Sequence, residues 1–131
     1  MKLSIIIPCF NEKNTIHDLI DRIRSEVNIP KEIILIDDCS TDGTVELIKN
    51  NIEKLVDKVI YHEKNIGKGG CIKSSISYIT GDLVIIQDAD LEYSPKDYLI
   101  LINAFKNNKS EVIYGSRVLG KKRYFLIMYY Q

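Results

Sequence analysis

Short runs rich in isoleucine and valine alternate along this chain with longer segments whose apolar residues recur at helical spacing. Such alternation leaves few options, because successive strands joined through helices lie parallel and each helix covers a face of the sheet. Residues 2–9, 32–38, 58–62, 82–88 and 111–115 read as strands, most of them ending in polar residues or glycine. Ile16, Leu19, Ile20, Ile23 and Val27 give a first helix one apolar face. Thr41 or Asp42 is the expected N-cap of a second, with Val45, Ile48, Ile52 and Leu55 on its buried side. Ile72, Ile76 and Ile79 mark a third helix after a glycine cluster, and Pro95 opens a fourth that turns Leu99, Ile102 and Phe105 toward the sheet. The predicted architecture is α/β: a mostly parallel, Rossmann-like sheet flanked by helices.

At 131 residues one domain is expected, short for an enzyme of two lobes. That unit runs to about residue 120, and residues 121–131 begin a further, truncated segment. There Lys121, Lys122 and Arg123 lead into the apolar run from Tyr124 to Tyr130. The run is compatible with a membrane interface, with a strand or helix partnered by missing chain or another subunit, and with packing on the domain's own sheet. Lysine plus arginine equals aspartate plus glutamate, 18 of each, so no global field draws in nucleic acid and any anion must be bound locally. Cys9, Cys39 and Cys71 are odd in number and widely spaced, which predicts reduced thiols in a cytoplasmic protein. The N-terminal apolar run is too short for a signal peptide, and no segment reaches the roughly 18 apolar residues of a membrane span. A soluble or peripheral protein follows.

Ligands of open parallel sheets bind where the strands' C-terminal ends form a crevice, so polar residues at those ends carry the first functional reading. Glu12 follows the first strand, Asp37 and Asp38 end the second, and Asp88 and Asp90 follow the fourth. Acids just beyond the apolar run Leu83 to Ile86 are suited to converge on a hard cation, Mg²⁺ or Mn²⁺, bridging a diphosphate. An isolated DxD more often forms a turn closed by aspartate side chains. Asp38 is placed to accept from a nucleobase N–H or ribose hydroxyls, whereas Ser40, Thr41 and Asp42 read as capping and turn residues. In Asn65-Ile66-Gly67-Lys68-Gly69-Gly70 the GK[ST] ending of a phosphate loop is missing, and its glycines read as a tight entry into the third helix. Lys68 is left as solvated or as a point charge for a phosphate. Phe10 is a candidate to flank a base, although aromatics at strand ends more often join the core. His17 and His62 have no second imidazole or thiolate spaced to join them, so neither is expected to hold a metal.

The clusters occur in a fixed order, PCFNE, DDCSTDGT, NIGKGG, QDADLEYSP and YGSRVLG. This ordered set resembles family 2 glycosyltransferases, most closely the branch of dolichol-phosphate mannose and polyprenyl-phosphate glucose synthases, over residues 3–120. The resemblance implies a glycosyltransferase A-type fold that holds a nucleoside-diphosphate sugar with Mg²⁺ or Mn²⁺ at its strand ends. It places Pro8, Asn11, Glu12 and Asp38 around the nucleoside and Asp88 and Asp90 at the metal and diphosphate, with Phe10 and Ala89 as further candidate substrate-binding residues. Glu92 is a further metal ligand, and Lys68 and Arg117 are phosphate contacts. The acceptor it implies is a polyprenyl or dolichyl phosphate, already an anion, so that no general base is needed and a single displacement inverts the anomeric carbon. Donors of GDP-mannose and UDP-glucose type are both compatible, as are a homo-oligomer and peripheral contact with the cytoplasmic face of a membrane. Relatives continue well past the GSR motif, so the resemblance supports donor binding more than turnover by this chain alone. The alternative is a nucleotide-binding remnant without transfer. A phospho-acceptor receiver domain is disfavoured because the acid pair follows the second strand, and a sugar-1-phosphate nucleotidyltransferase because PCFNE is not a glycine-rich, arginine-containing loop.

Overall fold

The computed structural model describes residues 1–107, 111–114 and 127–130. Among these, the strands β1 (Leu3–Cys9), β2 (Lys31–Asp37), β3 (Lys58–Tyr61), β4 (Leu83–Ile86), β5 (Val112–Tyr114) and β6 (Ile127–Tyr130) form one sheet in the order β3-β2-β1-β4-β6-β5. The first four are parallel, as the strand–helix alternation requires, with Ile6 of β1 registered against Ile34 on one side and Ile86 on the other. β6 runs antiparallel to both β4 and β5, so residues 127–130 of the apolar tail lie within the sheet itself.

Alternation along the strands builds two cores. Ile5, Ile7, Ile33, Leu35, Leu83 and Ile85 face α1 (Ile16–Glu26), while Ile6, Ile34, Ile36, Val84 and Ile86 face α3 (Gly67–Ser75) through Cys71. Burial of both faces explains why the strands read as nearly unbroken apolar runs. The predicted face of α1 is fully buried. The second helical segment is composite: α2 (Thr44–Leu47) passes into a π-helical turn, Ile48–Ile52, and a 3₁₀ turn, Glu53–Leu55. Its cap position is Gly43 at φ 98°, not Thr41 or Asp42, although the Asp42 carboxylate accepts from the Thr44 N–H at 3.0 Å. Two apolar faces differ from expectation. Ile76 is exposed because α3 begins at Gly67, within the glycine cluster, and turns Cys71 and Ser75 inward. In α4 (Tyr98–Asn107) Leu99 is exposed and Tyr98 takes the buried position beside Leu101 and Ile102, since a 3₁₀ turn, Pro95–Asp97, precedes the helix and shifts its phase.

At the N-terminal edge of the sheet the buried Glu32 carboxylate collects Lys2 Nζ at 2.9 Å, Ser4 Oγ at 2.5 Å, and the Thr80 N–H at 2.7 Å and hydroxyl at 2.6 Å. Burial alone would raise its pKa, but these donors outweigh that and hold it at about 2, against an ordinary 4.5. A carboxyl whose folded pKa lies below its unfolded one stabilises the fold above the unfolded value and loses that contribution as pH falls toward the folded one. The acid limb of stability between about pH 4.5 and 2 is therefore expected to be shallower in Glu32→Gln than in the unaltered chain. Chemical-denaturation midpoints measured across that window check this, and parallel limbs would show that Glu32 does not carry the dependence.

Candidate functional site

β1 pairs with β2 on one side and β4 on the other, so the chain's path reverses direction at β1 and leaves a crevice beyond the strand ends there. A cavity of about 200 Å³ occupies it, lined by Pro8, Cys9, Phe10 and Glu12 after β1, Asp38 after β2, Lys68 and Cys71 on α3, and Asp88, Ala89 and Asp90 after β4. Three non-glycine residues with left-handed backbone frame this end of the sheet: Asn11 at φ 53°, Cys39 at 65° and Leu91 at 64°. One follows each of β1, β2 and β4, and strain of this kind concentrates where loops are held in place for function.

Each loop is tied to its neighbours. The Asn11 N–H donates to Ser40 Oγ at 2.9 Å, and Asn11 Oδ1 accepts from the Thr41 N–H at 2.7 Å, joining the loop after β1 to the loop after β2. Thr15 Oγ1 lies 2.9 Å from Glu12 Oε2 and 2.6 Å from the Ala89 carbonyl, linking the start of α1 to the loop after β4. That loop is anchored from below by the buried Gln87, which donates to the Asp88 carbonyl at 3.0 Å and accepts from the Tyr98 hydroxyl at 2.7 Å. Asp90 Oδ1 accepts from the Glu92 N–H at 3.1 Å, closing the aspartate turn that an isolated DxD suggests, yet Asp90 also faces the cavity.

The Asp38 side chain is 4% exposed and accepts three hydrogen bonds. It accepts from the Ile66 N–H at 2.9 Å, the Gly67 N–H at 2.8 Å and His62 Nδ1 at 2.8 Å. Burial pushes its pKa up, but the two backbone donors and the imidazole outweigh burial and keep it below the ordinary value. Lys68 forms an ion pair with Asp88 across the cavity. Cys9 is a buried thiol, held far above the thiol range by burial first and then by Asp37, Glu12 and Asp42.

Of the residues singled out from sequence, Pro8, Phe10, Glu12, Asp38, Lys68, Asp88, Ala89 and Asp90 meet in one cavity. Phe10 is 45% exposed at its mouth, so it is not the core residue that strand-end aromatics usually are. Asn11 braces the loops and Glu92 lies outside the cavity wall. Arg117 and residues 121–126 lie outside the described residues. Sequence reading missed the supports Thr15, Gln87 and Tyr98; a buried amide between an apolar strand and two acids was the signal for Gln87. It also found no neighbour for His62. Cys71 Sγ lies 4.0 Å from His62 Nδ1, and Asp38, His62 and Cys71 offer donor atoms all within 4.8 Å of one another. The Cys71 thiol was missed because it comes from α3 through the fold, not from nearby sequence.

Comparison with solved structures gives the fold its class. A mannosyltransferase from Pyrobaculum calidifontis, solved with GDP-Man and Mn²⁺, superposes with a TM-score of 0.80 over 98% of this chain and 44% of its own, at 19% identity. Staphylococcus aureus TarS superposes at 0.69 over 92% of this chain and 37% of its own, at 30% identity. Both share the glycosyltransferase A-type fold with this chain. The family model for glycosyl transferase family 2 matches residues 4–131, and the chain belongs to that family. Among curated relatives, the dolichol-phosphate mannosyltransferase of Pyrococcus furiosus is 35% identical over 89% of this chain, and the dodecaprenyl-phosphate galacturonate synthase of Rhizobium johnstonii 28% identical over 96%. The chain spans 33% and 39% of those proteins' lengths. Among the described residues no helix is long and apolar enough to cross a membrane.

Proposed function

We propose that this chain is the donor-binding part of a glycosyltransferase that moves a hexose from a nucleoside diphosphate to a polyprenyl phosphate, with inversion. The observation that carries this is the joint presence of Asp38, Lys68, Asp88 and Asp90 in one crevice at the chain's reversal point. The relatives support the acceptor class, since both named above are polyprenyl- or dolichyl-phosphate sugar transferases. TarS, solved with UDP-GlcNAc at 27% identity, supports a nucleotide sugar as donor.

In this reading Pro8 and Phe10 flank the base, while Asn11, Glu12 and Asp38 serve the nucleoside side. Asp88 and Asp90 are hard oxygen donors on one wall, a set suited to Mg²⁺ or Mn²⁺ rather than to a softer ion; Glu92, outside that wall, would join them only if the loop after β4 turned it inward. Such an ion, when bound, offsets the charge that develops on the departing diphosphate. Lys68 and Arg117 meet the phosphates. The acceptor phosphate is its own nucleophile, which removes the need for a base. Peripheral contact with a membrane follows from a lipid-linked acceptor.

Calorimetry with UDP, GDP and their sugar conjugates, with Mn²⁺ and with EDTA, tests the reading. Binding is expected to depend on the cation, and equal affinity in EDTA would remove the metal role. Asp38→Asn is expected to weaken nucleoside affinity roughly ten- to hundredfold while leaving the response to Mn²⁺ intact, the loss of one charged hydrogen bond being worth about 1.5–3 kcal/mol. Asparagine is the milder probe because its one oxygen can still accept from the Ile66 N–H and His62, losing only the acceptor of the Gly67 N–H, whereas alanine strips all three. A lost Mn²⁺ response with unchanged nucleoside affinity would reverse the roles of Asp38 and the DxD.

A further inference from the structure

We propose that Asp38, His62 and Cys71 form a second metal site, suited to a borderline-soft divalent ion such as Zn²⁺ and distinct from the hard oxygen site of Asp88 and Asp90. The three donors are a carboxylate oxygen, an imidazole nitrogen and a sulfur. Thiolate and imidazole select Zn²⁺ over Mg²⁺ or Mn²⁺. His62 Nδ1 is 2.8 Å from Asp38 Oδ1 and 4.0 Å from Cys71 Sγ. Bonds of about 2.0 Å to nitrogen and oxygen and 2.3 Å to sulfur put tetrahedral ligands roughly 3.3–3.5 Å apart, so donors that already lie within 4.8 Å of one another need shifts on the order of 1 Å to complete three corners.

The outer contacts match what metal ligands need. His62 Nε2 lies 2.8 Å from Ser74 Oγ, which fixes the ring with its proton on Nε2 once Nδ1 binds the ion. The Gly67 N–H at 2.8 Å orients the second oxygen of Asp38. Cys71 and Asp38 both line the cavity, which leaves the fourth corner open to water. On binding, the Cys71 thiol releases its proton to solvent. The ion's two positive charges then meet one thiolate and one carboxylate, so the buried site is neutral. Asp38, His62 and Ser74 form a hydrogen-bonded chain, and Cys71 Sγ, 4.0 Å from His62 Nδ1, adds a third donor within reach of the same ion.

One consequence rests on the donor-binding reading: a Zn²⁺ ion held here withdraws Asp38 from the nucleoside. Zn²⁺ is then a competitive inhibitor of nucleotide binding, whereas Mn²⁺ at Asp88 and Asp90 promotes it.

Titration with Co²⁺ in place of Zn²⁺ tests the site directly. The unaltered chain is expected to develop a thiolate-to-cobalt charge-transfer band at one ion per chain. The band is lost in Cys71→Ser, kept in Cys9→Ser and Cys39→Ser, and Zn²⁺ displaces it. Ser74→Ala is expected to weaken the ion about tenfold or more by releasing the ring. X-ray absorption of the zinc-loaded unaltered chain should find one sulfur at about 2.3 Å, which decides the matter even where Cys71→Ser misfolds. Absence of the band, absence of sulfur, or a band that follows Cys9 or Cys39 overturns the proposal and leaves the trio a hydrogen-bonded network. Zn²⁺ binding with unchanged nucleotide affinity overturns the competition. No nucleotide binding under any condition would instead refute the donor-binding reading, while the cobalt band would still decide the metal site.

Discussion

Replacing Gly81 by alanine is expected to destabilise the 131-residue chain by about 3 kcal/mol, the upper part of the range for forcing atoms into a packed site. A Cβ at Gly81 would lie 2.5 Å from Ser4 Oγ and 2.8 Å from both the Lys2 carbonyl oxygen and the Ser4 nitrogen. Two of those atoms are backbone of β1's entry, so no rotamer relieves the contact. The third is the hydroxyl that donates to Glu32 and accepts from the Gly81 N–H at 2.9 Å, so the clash also disturbs the network there. The loss is a large fraction of the roughly 5–15 kcal/mol that a domain has in total. Gly69→Ala is the internal contrast: nothing lies within 4 Å of its Cβ, it is helical, and alanine there is expected to stabilise by about 0.5–1 kcal/mol. Urea unfolding of both variants should give midpoints on opposite sides of the unaltered chain. Two shifts of the same sign would refute the steric account.

Asp88→Asn and Asp90→Asn are each expected to reduce cation-dependent nucleotide affinity by a factor on the order of 100, about 2.7 kcal/mol, with little change in stability. Asparagine keeps an acceptor for the Glu92 N–H at Asp90 and a carbonyl for Lys68 at Asp88, so the loop retains its shape while each position loses its charge. A hard cation held by only one or two carboxylates depends heavily on each. The readout is the difference between calorimetric affinities with Mn²⁺ and with EDTA. Variants that keep the full Mn²⁺ increment would locate the cation elsewhere.

Much of this arrangement is legible in the sequence because two-sided burial writes itself into strands such as Leu3–Cys9 as apolar runs, and the site lies where those runs stop. Helix phase was less legible. The 3₁₀ turn before α4 shifted the buried face from Leu99 to Tyr98, and a helix start within the glycines left Ile76 outside. Local periodicity carries no record of such offsets, since tertiary packing decides them. The site divides in the same way. Asp38, Asp88 and Asp90 follow from their position at strand ends, whereas the association of His62 with Cys71 and the anchoring of Gln87 by Tyr98 exist only once distant segments pack.

The placement of β6 has a consequence for how the chain is made. β1, β2, β3 and β4 can pair as soon as residue 86 has been synthesised, but β5 reaches the sheet only through β6, which follows it in sequence and lies between it and β4. During synthesis from the N-terminus, the crevice between β1 and β4 is therefore assembled while β4 still presents an unpaired edge. That edge stays bare until residues 127–130 have left the ribosome, and during that interval it is open to pairing with a neighbouring chain.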